Sequence, residues 1–106
     1  MNDVCVAYIS IPRDEADKMA RALVEQRMAA CVNVTPKIHS FFWWDDAVQE
    51  DEESLLIIKT TRQKFAALRD YVIENHPYEL PEIIAMPLVE GSSEYIEWVK
   101  REVSRG

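Results

Sequence analysis

The sequence predicts an α+β fold built as a single domain, and two observations carry that prediction. Runs of β-branched and aromatic residues alternate with runs whose apolar residues recur every three or four positions, the signatures of strand and helix. At 106 residues the chain has room for one hydrophobic core, because a domain of this size buries roughly two-thirds of the surface its unfolded chain exposes. With only two glycines and five prolines, no long flexible linker is expected.

Val4 to Ile11 reads VCVAYISI and stops at Pro12, so it is a strand. Both of its faces are mostly apolar, which places it centrally with cover on both sides. Ala16, Met19, Ala20, Leu23 and Val24 mark one face of a helix. Asp14 is its expected N-cap, Glu15 and Asp17 sit where the helix dipole favours them, and its end falls near Met28. A second strand starts at Ala30 and runs, with a break at Pro36, to about Trp44; a third covers roughly Ser54 to Thr60. The segment from Asp45 to Glu53 lacks the Asn-Gly or Asp-Gly of a tight hairpin, so a looser connection is expected there.

Arg62 to Asn75 returns to helical period, with Phe65, Leu68, Val72 and His76 on one stripe, and Pro77 ends it. Pro81 to Val89 is a fourth strand. Pro87 lacks an amide donor, so this strand belongs at an edge or carries a bulge. Gly91-Ser92-Ser93 supplies a turn and a cap for a last helix striped by Tyr95, Val99 and Val103. The order β-α-β-β-α-β matches the ferredoxin-like split βαβ motif with its antiparallel sheet, and one helix is added at the C-terminal end.

Charge and cysteine content narrow the partners. Nineteen acidic residues against twelve basic ones leave a net charge of −7. The basic residues are scattered beside acids, as in Arg13-Asp14-Glu15, so neither nucleic acid nor an anionic membrane is an expected partner. Divalent cations are attracted to such a surface. Cys5 and Cys31 are too few for a disulfide scaffold, no basic-then-apolar leader opens the sequence, and no run spans a bilayer. These features together indicate a cytoplasmic protein.

One copy leaves apolar surface unaccounted for. Leu55-Leu56-Ile57-Ile58 places apolar side chains on both faces of strand three, and Phe41-Phe42-Trp43-Trp44 does the same with four large rings near a hairpin tip. Each ring contributes ~150–250 Å² when buried. Exposed patches of that combined size mark interfaces, so an oligomer is expected.

The candidate chemistry is sparse. Cys31 and His76 are the donors considered for a metal, although no two Cys or His residues stand at a local ligand spacing. Either residue equally suits a structural role, Cys31 as a small buried hydrophobe and His76 as a helix terminator bonded to a carbonyl. The acids from Asp45 to Glu53 lack the spacing and glycine of a calcium loop and read as a solvated hairpin end. Cys31, His76 and Glu82 can be drawn as a nucleophile, base and orienting group. No nucleophile elbow, phosphate loop or dinucleotide fingerprint accompanies them, and neither catalysis nor an organic cofactor is expected. In the segment His76-Pro77-Tyr78-Glu79-Leu80-Pro81-Glu82 two prolines fix the chain while it presents an imidazole, a phenol and two carboxylates, as a site requires and as a well-built turn also provides.

These last residues, with Ala30-Cys31-Val32-Asn33, Ser40, Phe42, Trp44, Lys59-Thr60, Ile83-Ile84, Gly91, Tyr95 and Trp98, resemble the CutA divalent-cation tolerance family nearly end to end. The resemblance implies a ferredoxin-like homotrimer, joined by strand pairing and by the long hairpin reaching a neighbour. It also implies binding of divalent metal ions, copper(II) foremost, and no established enzymatic activity. Cys31, Lys59, His76, Tyr78 and Glu82 match the family's polar cluster, which assigns Cys31 and His76 to metal and Lys59, Tyr78 and Glu82 to a ligand cleft. Two alternatives accompany this reading: a PII-like trimeric signalling protein whose Lys59 pairs an anionic effector between subunits, and a trimeric interaction scaffold. The chain departs from many relatives at Trp44-Asp45-Asp46, where they carry Trp-Glu-Gly, and the missing glycine bears on the hairpin turn.

Overall fold

A computed structural model describes residues 3–105. The elements are β1 (Val4–Ile11), α1 (Arg13–Glu25), β2 (Cys31–Val34), β3 (Ile38–Trp44), β4 (Ala47–Thr61), α2 (Arg62–Asn75), β5 (Ile83–Pro87) and α3 (Ser93–Ser104). The main sheet is antiparallel in the order β2-β4-β1-β5, and β3 pairs with the outer half of β4. β1 is central, flanked by β4 and β5. Pro87 closes β5, which among the described residues is an edge strand paired with β1 alone, where a missing amide disrupts no ladder.

Alternation along the strands separates the two faces. Ala7, Ile9 and Ile11 of β1 and Leu56 and Ile58 of β4 point to one side and pack with Ala16, Met19, Ala20 and Leu23 of α1 and with Leu68 and Val72 of α2. This is the principal core. The other face carries Val6, Tyr8, Ser10, Leu55, Ile57 and Lys59. α3 packs against β4 and β1 through buried Val99 and Val103, and Arg27 ties it to the end of α1 by hydrogen bonds to the Glu102 carbonyl (3.0 Å) and carboxylate (2.8 Å).

Several boundaries differ from the sequence-based expectation. α1 begins one residue after Pro12, which occupies the N-cap position, so Asp14 lies in the first turn and acts through the dipole, not as a cap. α1 ends at Glu25, and Arg27 enters the left-handed region (φ 62°). The Met28 N–H to Leu23 carbonyl and Arg27 N–H to Val24 carbonyl bonds, both 3.0 Å, complete a Schellman closure. β5 is shorter than the Pro81 to Val89 expectation. Ser92 does hold the N-cap position of α3, without a side-chain cap bond.

The largest correction concerns the hairpin. The connection is tight: Trp44 pairs with Ala47 across Asp45 and Asp46, both at positive φ (53° and 61°). That is the signature of a two-residue type I′ turn, and aspartate is among the few side chains that tolerate it. The acidic 47–53 stretch is therefore strand, and β4 runs unbroken for 15 residues. The second strand does break at Pro36, leaving β2 and β3 as separate segments on the same partner.

Candidate functional site

His76 ends α2 in an extended conformation (φ −91°, ψ 140°), as the following proline requires. The imidazole turns inward and is buried, 8% exposed. Its Nδ1 accepts the Tyr78 backbone N–H at 3.1 Å, and its Nε2 lies 2.8 Å from the Ser10 carbonyl oxygen. A carbonyl only accepts, so Nε2 carries the proton and the ring is the neutral tautomer with both nitrogens engaged. His76 thereby locks the start of the 76–82 segment onto the end of β1.

That lock aims Tyr78. Its ring lies 4.7 Å from the imidazole, tilted by 54°, and its hydroxyl donates to Glu53 Oε2 at 2.8 Å. Burial, reinforced by Glu53 and then Asp51, pushes the phenol above its ordinary value near 10.0. Glu53 is only 4% exposed. On the same side the Ser10 hydroxyl donates to Glu82 Oε1 at 3.3 Å. Tyr78, Glu53, Ser10 and Glu82 line an open groove of about 750 Å³ with Asp51, Glu79 and the four hairpin rings Phe41, Phe42, Trp43 and Trp44.

Cys31 and Lys59 occupy a different place. They face each other across β2 and β4, where the Lys59 ammonium donates to the Asn33 side chain. Tyr95 of α3 lies beside Cys31; burial first, and then the Cys31 thiol, raise its phenol. The Ser10 end of the sheet pairs with Leu55, four positions along β4 from Lys59, a separation of about 13 Å. The structure thus brings Tyr78 and Glu82 together with His76, and places Cys31 with Lys59 apart from them. Cys31 and Cys5 are both free thiols, and burial raises that of Cys5. Among the described residues no three His, Cys, Asp or Glu side chains are grouped so as to hold a metal ion.

Glu53, Ser10 and Asp51 escaped the sequence reading. Glu53 was grouped with a solvated acidic turn, yet it continues the alternation Glu53, Leu55, Ile57, Lys59 along one face of β4. That period-2 phase was the available signal for its inward orientation.

A three-helix α+β domain with an aromatic hairpin and a proline-bracketed polar segment is the class this geometry defines. Residues 5–102 match the family described as CutA1 divalent ion tolerance protein. The divalent-cation tolerance protein CutA of Thermus thermophilus is 46% identical over 96 residues, covering 90% of this chain and 93% of that protein. The chloroplastic protein CutA 1 of Oryza sativa is 45% identical over 90% of this chain; the chain spans 54% of that longer relative. A solved structure described as the periplasmic divalent cation tolerance protein CutA from Archaeoglobus fulgidus superposes with a TM-score of 0.91 at 39% identity, covering 94% of this chain and 98% of the other. The chain belongs to the CutA1 family.

Proposed function

We propose that this chain is a divalent-cation tolerance protein that assembles as a ferredoxin-like homotrimer and binds divalent metal ions, copper(II) foremost. Family membership across residues 5–102 carries the reading, and the Thermus and Archaeoglobus relatives are named divalent-cation tolerance proteins. The net charge of −7 favours cation capture. Two free thiols suit the reducing cytoplasm. The sheet order β2-β4-β1-β5, with α1 and α2 on one face, supports the ferredoxin-like topology.

Assembly is supported by the outer side of the hairpin, where Phe41 and Trp43 are 62% and 74% exposed beside Val48, and by Ile84 and Met86 on the β5 edge strand. Among the described residues the donors of one chain are not grouped into a metal site, so an ion using both Cys31 and His76 lies between copies. Cys31 is the more available donor. His76 ligates only by giving up the Tyr78 amide or the Ser10 carbonyl.

Native mass spectrometry of chelator-treated protein titrated with copper(II) tests this. The expected result is a trimer taking up a fixed whole number of ions, with Cys31→Ala lowering affinity more than His76→Ala. Unchanged uptake in the double variant removes both residues from the account, and uptake without saturation reduces copper to surface binding.

A further inference from the structure

A hollow at the end of the sheet away from the hairpin is lined with donors that have no acceptor. β4 passes directly into α2 at Thr61, which holds the N-cap position without a side-chain cap bond. Alternation along β4 turns the Thr61 side chain, like those of Ile57 and Lys59, to the face that α3 covers. There Thr61 is 5% exposed and lines a hollow of about 630 Å³ between the start of α2 and the C-terminal half of α3. Among the described residues its hydroxyl has no hydrogen-bond partner. Burying a hydroxyl that nothing engages is costly.

The groups around that hydroxyl are mostly donors as well. The Arg62 amide is taken by the Asp3 carbonyl at 2.8 Å. The Gln63 and Lys64 amides of the same first turn are left without a cap. No acidic residue stands in that turn to offset the helix dipole. Lys64 takes part in none of the ion pairs among the described residues. Lys100 and Arg101 line the hollow from α3. Asp3 and Glu97 line it too, and Glu97 is engaged by Lys100 at 3.4 Å. Three cations against two carboxylates leave one positive charge in excess here, in a chain whose net charge is −7.

A hydroxyl, two amides and ammonium groups from two helices call for several acceptor oxygens on one anion. A tetrahedral oxyanion supplies them, and a helix N-terminus with free amides is a favourable place for it. We propose that this hollow binds a phosphate group, free or carried on a small ester. Thr61 and the Gln63 and Lys64 amides are its hydrogen-bond donors, and Lys64 and Lys100 are its counter-charges. The volume lies within the range of small-molecule sites and leaves room for the organic part of an ester. None of the lining residues belongs to β3, to β5 or to the outer half of β4, and the site does not rest on the metal reading.

Amide NMR of the assembled protein in chelator, titrated with sodium phosphate against sodium chloride at equal ionic strength, tests the proposal. The Gln63 and Lys64 amide resonances are expected to shift and saturate with phosphate alone. Thr61→Val keeps the shape of the side chain and removes only the hydroxyl, and it is expected to weaken phosphate about tenfold. Should Thr61→Val fail to fold, Lys64→Gln on the surface replaces it, and a comparable loss is expected. Glycerol phosphate distinguishes the two sources: tighter binding than inorganic phosphate assigns an ester, and weaker binding assigns the free ion. Shifts at Gln63 and Lys64 no larger than those in sodium chloride overturn the proposal. Unchanged phosphate affinity in the variant that folds also overturns it.

Discussion

At the scale of single residues, His76 shows how a side chain suited to metal chemistry is absorbed by structure. Both ring nitrogens are engaged, one by an N–H and one by a carbonyl. Replacing it with alanine strands both backbone groups in a buried place, so His76→Ala is expected to lower stability by about 2–4 kcal/mol in urea unfolding. Tyr78 gives a prediction with a definite sign. Its folded-state pKa is raised by burial and by Glu53, so above about pH 10 the unfolded chain releases a proton that the folded chain retains. The unfolded state then binds fewer protons, and stability falls as pH rises. Tyr95 is shifted in the same direction; Tyr78→Phe should therefore reduce the alkaline slope of the unfolding free energy without abolishing it. Tyr78 and Glu82 stood out in the sequence because each directly follows a proline, Pro77 and Pro81. Glu53 did not, because inward orientation depends on strand phase, and the phase is fixed only once β4 is known to run through the acidic stretch.

At the scale of elements, β1 and α2 were read to their ends, since a proline or a change of period marks each boundary. The hairpin was misread because turn chemistry was judged by the absence of glycine, whereas Asp45 and Asp46 adopt the left-handed conformation themselves. Strand pairing on both sides holds them there: Trp44 opposite Ala47 and Trp43 opposite Val48 continue a ladder that reaches Glu53. This override carries a cost that glycine would not incur. At Asp46 (φ 61°) glycine relieves about 1 kcal/mol of steric strain, partly offset by the greater freedom it gives the unfolded chain. Asp46→Gly is therefore expected to stabilise the protein by about 0.5 kcal/mol, read as a higher denaturant midpoint at unchanged slope. A lower midpoint would show that the Asp46 side chain makes a stabilising contact that glycine cannot replace.

At the scale of the whole molecule, the dimensions themselves point to assembly. The chain extends 44 Å along its longest axis, with a radius of gyration of 14.3 Å, where a compact chain of this length has about 13 Å. Its accessible surface of 6814 Å² exceeds the roughly 6,100 Å² of a typical monomer of its mass. Large apolar side chains stand exposed on the hairpin (Phe41, Trp43 and Val48) and on β5 (Ile84 and Met86). The sequence disclosed this surplus through Phe41-Phe42-Trp43-Trp44, because alternation leaves no single-copy arrangement that covers both faces of such a strand. If assembly supplies the cover, folding and association are linked, and apparent stability depends on protein concentration. For a trimer that unfolds to separate chains, a hundredfold rise in concentration adds about 1.8 kcal/mol per chain, enough to raise Tm by several degrees in a domain of this size. Differential scanning calorimetry across that range should show the rise. A double Phe41→Ser, Trp43→Ser variant, altered only on the outer side of the hairpin, should show a lower and nearly concentration-independent Tm together with a smaller sedimenting species. A wild-type Tm that stays constant over the same range, with a monomeric sedimentation coefficient, would assign the exposed rings to some other partner.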